Sequence, residues 1–287
     1  MIDHKTLLLG AVAYDPKVVT IWDGFQRYFA HHDLAFDYVL FSNYERQVES
    51  LFAGHIHVAW NSPLAWLECE RIAHALGRQV EAIAMRDTDR GLTSVIFARS
   101  DSGIRSIQDL KGKRVAVGAG DSPQANLIPL SFVADQGLLP GKDFEVLTFE
   151  ALLGKHGDHI GGERDAARAV LRGVADAACC IDANHLLFTQ EAILPARATH
   201  IVAQTPAYDH CNFTVLDGVL VQQVDRFREL LLGMSYADPE VRPLLDMEGL
   251  KQWLPGRTEG YRALDQALRR FGTIDAFVFE AVVARCK

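Results

Sequence analysis

Short apolar runs alternate with segments whose apolar residues recur at helical spacing, and the alternation persists along most of the chain. Residues 7–13 form a continuous apolar run that reads as a buried first strand. Tyr14-Asp15-Pro16 turns it into a helix carrying Val18, Val19, Ile21, Trp22, Phe25 and Phe29. Strands at 36–41 and 58–60, with a helix near 45–52, precede a helix at 63–76 and strands at 81–85 and 93–98. After Ser100-Asp101-Ser102-Gly103 the pattern restarts: a short helix at 106–110, a strand at 114–117 and a helix reaching about 136. Strands at 144–149, 177–181 and 200–203 and a helix at 164–172 follow, and the chain from 226 onward reads as mainly helical. Such alternation is the signature of an α/β fold with parallel strands. With no long linker, two lobes have to be joined by crossing strands, 93–98 going out and 200–204 coming back. The expected division is a discontinuous first lobe, 1–97 and 205–287, and a second lobe, 98–204.

One local feature occurs twice. The strand at 58–60 runs into Asn61-Ser62-Pro63-Leu64, and the strand at 114–117 leads to Asp121-Ser122-Pro123-Gln124. In both, serine stands at the helix N-cap and proline at the first helical position, where its missing N–H costs nothing. A helix N-terminus beyond the carboxyl end of a parallel strand offers N–H groups and a partial positive charge to an anion. Two ordinary capped helices would look the same singly; their recurrence, once per expected lobe, favours a ligand role. Gly118-Ala119-Gly120 lacks the third glycine of a dinucleotide fingerprint and the Gly-Lys-Ser/Thr of a P-loop, and reads as a close-approach turn.

These residues carry a resemblance. Val58–Trp66 in the sequence Val-Ala-Trp-Asn-Ser-Pro-Leu-Ala-Trp resembles the first-lobe ligand loop of phosphonate-binding components of ABC transporters. The run from Ser94 to Ile104, with Asp109-Leu110-Lys111-Gly112-Lys113, is similar to their interlobe strand and the turn after it. Gly161-Gly162 with Asp165, followed by 170–182, resembles their later second-lobe segment. The resemblance spans roughly residues 7–215. It implies a two-lobe type II periplasmic-binding-protein fold with a ligand cleft between lobes, closing on a small oxyanion. It places Tyr14, Asn61, Ser62 and Ser122 at ligand-contacting positions. The chain departs from the family where Gln124 and Asn126 replace Ser/Thr at the second helix start, and where Glu163-Arg164 replaces a histidine–aspartate pair. Glu163 would repel a phosphonate and Arg164 would attract it. A larger or less charged ligand, reached by the Gln124 and Asn126 amides, stands beside phosphonate. Arg164 at a helix N-terminus needs an anion or a carboxylate partner, with Glu163 or Asp165 as the nearest candidates.

Composition narrows the functional classes. The 287 residues are 49% hydrophobic and 23% charged, which excludes a disordered or fibrous chain. Thirty-seven acidic against 29 basic residues give a net charge of −8, so a nucleic-acid partner is not expected. The five cysteines, Cys69, Cys179, Cys180, Cys211 and Cys286, form an odd set without a CxxC pair and read as buried thiols in a reducing compartment. Lys5 before the apolar run ending Ala11-Val12-Ala13 imitates a signal peptide. Asp3 and the brevity of the segment argue against one, so the expected location is the cytoplasm, or the periplasm if a signal was trimmed. An ABC-transporter membrane component is then the expected partner only for an exported protein.

Reactive groups are few. His156-Gly157-Asp158-His159 holds donors for a metal or proton transfer but shows no third ligand, and a solvated loop explains it. Cys211 after His210 is a candidate nucleophile, although neighbours on an extended segment point apart. Asp182, ending a strand, can accept from a ligand amine or hydroxyl. The leading expectation is a small-molecule-binding protein needing no cofactor or resident metal. The alternative is a cytoplasmic enzyme on the same fold, with Cys211 or His156 as its reactive group.

Overall fold

In the computed structural model, residues 6–151, 153–158, 160–272, 279–280 and 282–284 are described; Cys286 and His159 lie outside them. The elements run β1 (Leu7–Val12), α1 (Lys17–His31), β2 (Phe36–Phe41), α2 (Tyr44–Phe52), β3 (Val58–Asn61), α3 (Pro63–Ala75), β4 (Val80–Arg86) and β5 (Ser94–Arg99). Next come β6 (Arg114–Val117), a π-type turn at Pro123–Leu127, α4 (Ile128–Asp135), β7 (Glu145–Thr148), α5 (Gly161–Leu171), β8 (Ala177–Ile181), α6 (Asp182–Gln190) and β9 (Thr199–Gln204). The last are β10 (Asn212–Leu216), α7 (Val221–Leu232), α8 (Arg242–Glu248), β11 (Trp253–Pro255) and α9 (Arg262–Phe271).

Two units result. The described residues up to Gly91, with Asp209–Tyr261, form the first, around a six-stranded sheet of order β11-β4-β10-β3-β1-β2. Strand β1 shows why this sheet lies in the middle of its unit. Alternate side chains leave a strand on opposite faces: Leu7, Leu9 and Ala11 join one apolar cluster, Leu8 and Val12 another. The first cluster is aromatic, with Trp22, Phe25 and Phe29 of α1 packed beside Phe213, Phe227 and Trp253. A Cβ on Gly10 would stand 2.4 Å from the Ile56 Cδ1 methyl and 3.0 Å from the Phe41 ring, so a side chain there would require Ile56 to shift.

The second unit, Leu92–Tyr208 with α9, is built on a five-stranded sheet of order β7-β6-β8-β5-β9, again with apolar clusters on both faces. The chain leaves the first unit after Gly91 and returns at Asp209, so the strands expected to cross, β5 and β9, lie wholly within the second sheet, paired to each other. Helix α9 packs with the second unit, where Arg270 donates to Ser131 and pairs with Asp135 at 2.6 Å. Neither sheet is purely parallel. β10 runs antiparallel to β3 and β4, and β5 antiparallel to β8 and β9. β1, β2 and β3 are mutually parallel, as are β6, β7 and β8.

Candidate functional site

The first unit gathers its candidates at the carboxyl ends of adjacent parallel strands. Tyr14 follows β1 and is half-buried, with the Lys17 Nζ 5.8 Å from its ring centroid. Ser62 follows β3. Its hydroxyl caps α3 by accepting the Ala65 N–H at 3.2 Å, with Pro63 at the first helical position. Pro63 has no N–H to offer, and the first ladder bond of α3 runs from the Trp66 N–H to the Ser62 carbonyl at 2.9 Å. Asn61 takes a different course: wholly buried, its Oδ1 accepts from Gln47 at 2.8 Å and its Nδ2 donates to Thr214 at 2.9 Å and Cys69 at 3.4 Å. Its amide therefore works inside the unit. The network continues from Thr214 to Asn212, from Asn212 to the Tyr261 hydroxyl, and from there to the His210 carbonyl, at 2.7, 2.8 and 2.8 Å.

In the second unit, β6, β7 and β8 each hand the chain to a helical segment, beginning at Pro123, Gly161 and Asp182. Three helix starts thus share one sheet edge. Ser122 caps the first by accepting from Ala125 at 3.2 Å, repeating the Ser62 geometry. Residues 153–158 pack over this start: Gln124 donates its amide to the Gly157 carbonyl at 2.7 Å, and a Cβ on Gly157 would lie 2.3 Å from the Ser122 hydroxyl. Asn126 turns its amide to the carbonyls of Gly118 and Ala119, at 3.4 and 3.2 Å. The expected reach of these two amides toward a ligand meets partners within the unit. His156 belongs to the same loop and is buried rather than solvated, its N–H donating to Asp121.

The edge carries its own carboxylates. Asp121 accepts the N–H of Gly154 at 2.6 Å, and Glu150 that of Gly120 at 3.3 Å. Glu163, buried, accepts from the Ile181 N–H at 3.1 Å and from Asn184 at 2.8 Å. Asp182 accepts from the Thr93 hydroxyl at 2.8 Å and the Ala183 N–H at 2.7 Å. Arg164 has the carboxylate partner its position demands, but a different one from those expected. Its Nη2 lies 3.1 and 2.8 Å from the two oxygens of Glu191, and the guanidinium sits 5.5 Å from the Phe188 ring centroid. Asp165 pairs with Arg168 instead.

Each unit thus carries a serine-capped helix start at the carboxyl end of its parallel strands. The sequence profile of one family, described as ABC transporter, phosphonate, periplasmic substrate-binding protein, matches residues 11–261. The chain belongs to this family. Three solved structures are similar to it along nearly its whole length. The methylphosphonate complex of PhnD1 from Prochlorococcus marinus is 17% identical, covers 95% of this chain and 100% of its own, and gives a TM-score of 0.71. An ATP-bound protein of Xanthomonas citri, XAC2383, is 17% identical with 98% of both chains covered and a TM-score of 0.69. The periplasmic aliphatic sulphonate binding protein SsuA of Escherichia coli is 16% identical, with 98% and 90% covered and a TM-score of 0.54. The fold is that of type II periplasmic binding proteins, and this phosphonate-binding family member is a solute-binding protein by fold and family.

Where the chain returns to the first unit, the structure corrects one expectation. His210 and Cys211 do not point apart: the imidazole Nδ1 lies 3.0 Å from the Cys211 sulfur, and 3.6 Å from Asp89 Oδ1. The backbone breaks its extended run here because the His210 N–H bonds to the Asp89 carbonyl while its carbonyl accepts from Tyr261. Burial would raise the Asp89 carboxyl, but Arg86, at 2.6 and 2.9 Å, and His210 override it and bring it to about 2. Asp209 is likewise buried, held by Arg257 through two bonds of 2.6 Å. Arg86, Asp89, Asp209 and Arg257 were not legible as a group, since only the fold joins positions so far apart. The other three described cysteines are buried; burial pushes the Cys179 thiol up to about 12 and raises Cys69 and Cys180, as inert core thiols require.

Proposed function

We propose that this family member binds a small solute through an oxyanion group, using the helix starts at Ser62 and Ser122 together with Tyr14. The observation that carries the reading is the repeated serine–proline helix start, one at the parallel-strand edge of each unit, with the same 3.2 Å cap bond in both. Backbone N–H groups at such starts favour negative charge without a formal cation. Asp182 and the neighbouring carboxylates of the second unit suit an amine or hydroxyl elsewhere on the ligand. On this reading the ligand is an organic phosphonate, sulfonate or carboxylate bearing a hydrogen-bond donor, rather than a bare oxyanion. Arg164, paired with Glu191, is a supporting residue, and Gln124 and Asn126 shape the helix start that Ser122 caps.

The family's description supports a periplasmic setting and an ABC-transporter membrane component as partner, in place of the cytoplasmic location expected from residues 1–13. No helix among the described residues is long and apolar enough to cross a membrane. Native mass spectrometry of freshly purified protein, compared with its denatured mass, tests the function. A retained small molecule of oxyanion class, recovered chemically unchanged, is expected. Recovery of a converted product would favour the enzyme alternative, and a ligand without any acidic group would overturn the reading.

A further inference from the structure

Three potential ligand atoms converge in the first unit at the chain crossing. The Asp89 carboxylate, His210 Nδ1 and Cys211 Sγ all lie within 4.8 Å of one another, and all three residues are buried. The arrangement is not a nucleophile relay. In a relay the carboxylate orients one imidazole nitrogen while the other faces the nucleophile; here Asp89 at 3.6 Å and Cys211 at 3.0 Å approach the same nitrogen. Donors gathered round one point are what chelation needs. Bond lengths to zinc of about 2.0–2.3 Å place tetrahedral ligand atoms roughly 3.3–3.6 Å apart; the imidazole nitrogen already stands 3.0 Å from the sulfur and 3.6 Å from the carboxylate oxygen.

Arg86 bridges Asp89 at 2.6 Å and Glu248 at 3.1 Å, both carboxylates nearly closed to water, and so fixes the Asp89 oxygens beside the imidazole and the thiol. The ligands also come from both passages of the chain. Asp89 precedes the exit at Gly91, and His210 and Cys211 follow the return at Asp209.

We propose that Asp89, His210 and Cys211 form a binding site for a borderline-soft divalent metal ion of the zinc type, which ties the outgoing and returning segments together. The Cys211 thiol gives up its proton on binding, the carboxylate keeps its bonds to Arg86, and Nδ1 supplies the third ligand atom.

The test uses the intact chain, dialysed against a chelator and titrated with Co²⁺. One ion per chain and a sulfur-to-cobalt charge-transfer band are expected, and Zn²⁺ should displace the band. Cys211→Ser should abolish the band, and His210→Gln should weaken uptake by at least the roughly tenfold that even a metal's outer-shell contacts contribute. Absence of the band in the unaltered protein overturns the proposal, as does a band that persists in Cys211→Ser, which would place the sulfur elsewhere. Should either variant fail to fold, thermal unfolding of the unaltered protein decides: Zn²⁺ is expected to raise its midpoint, and an unchanged midpoint overturns the site.

Discussion

Asn61 shows how a polar residue beside a helix start can serve the core instead of the ligand. Its two amide atoms join Gln47, Thr214 and Cys69 in a region without solvent. Asn61→Ala leaves the Gln47 amide and the Thr214 hydroxyl short of partners, at roughly 1–3 kcal/mol for a buried group. Urea unfolding should show a loss of about 2 kcal/mol, and an unchanged midpoint would contradict the network. His57 supplies a pH prediction. Its Nδ1 accepts the Leu8 N–H at 2.9 Å, which requires the unprotonated nitrogen, and burial lowers its pKa from the usual 6.5. A histidine with a depressed folded pKa contributes stability that is present above about 6.5 and lost as pH falls through the folded value. Unfolding free energy should therefore decline more steeply between about pH 7 and pH 5 in the parent protein than in His57→Asn. Equal slopes would remove His57 as the cause. Arg164→Ala, with Glu191 as the residue's partner, should leave anion affinity essentially unchanged; a marked weakening in a calorimetric titration would return Arg164 to the ligand. The serine caps were readable because cap and proline are adjacent in sequence. The Asn61 and Asp89 networks were not, because their partners lie on distant strands.

At the scale of elements, apolar periodicity located β1, β6 and β8 to within a residue or so, since strands buried on both faces are nearly unbroken apolar runs, and it found β2 as well, although that edge strand is partly exposed. It missed β10 and β11. Asn212 and Thr214 make β10 look polar, and only the buried network around Asn61 explains them. β11 is three residues ending in Pro255, tolerable because it lies at the sheet's edge. Helix α6 escaped because its apolar face is weak, with Phe188 its one buried residue. The loop over the Ser122 helix start gives the element-scale prediction. Gly157 has φ of +77° and no room for a Cβ against Ser122. Gly157→Ala should displace the loop, break the Gln124 bond and destabilise the protein by more than about 1 kcal/mol. Limited proteolysis should then cut within 153–158 faster than in the parent; unaltered cleavage and stability would contradict the packing described.

For the whole molecule, the restart of the α/β pattern after residue 103 announced two units, but the boundaries followed from pairing that sequence does not display. β5 and β9 pair with each other and thereby bring both crossings inside the limits expected for the first lobe. Helix α9 rejoins the second unit through Arg270, a contact made by residues remote in sequence. The two serine-capped starts fall one in each unit. Saturation at about 100 times the dissociation constant raises unfolding free energy by roughly 2.7 kcal/mol. Calorimetric titration of protein refolded free of ligand, against alkylphosphonates, sulfonates and carboxylates with and without an amine, tests the central claim most directly. The account predicts one site per chain for at least one oxyanion, weakened by Ser62→Ala and by Ser122→Ala while both variants remain folded. Failure of every oxyanion to bind, or binding that neither substitution changes, would contradict it.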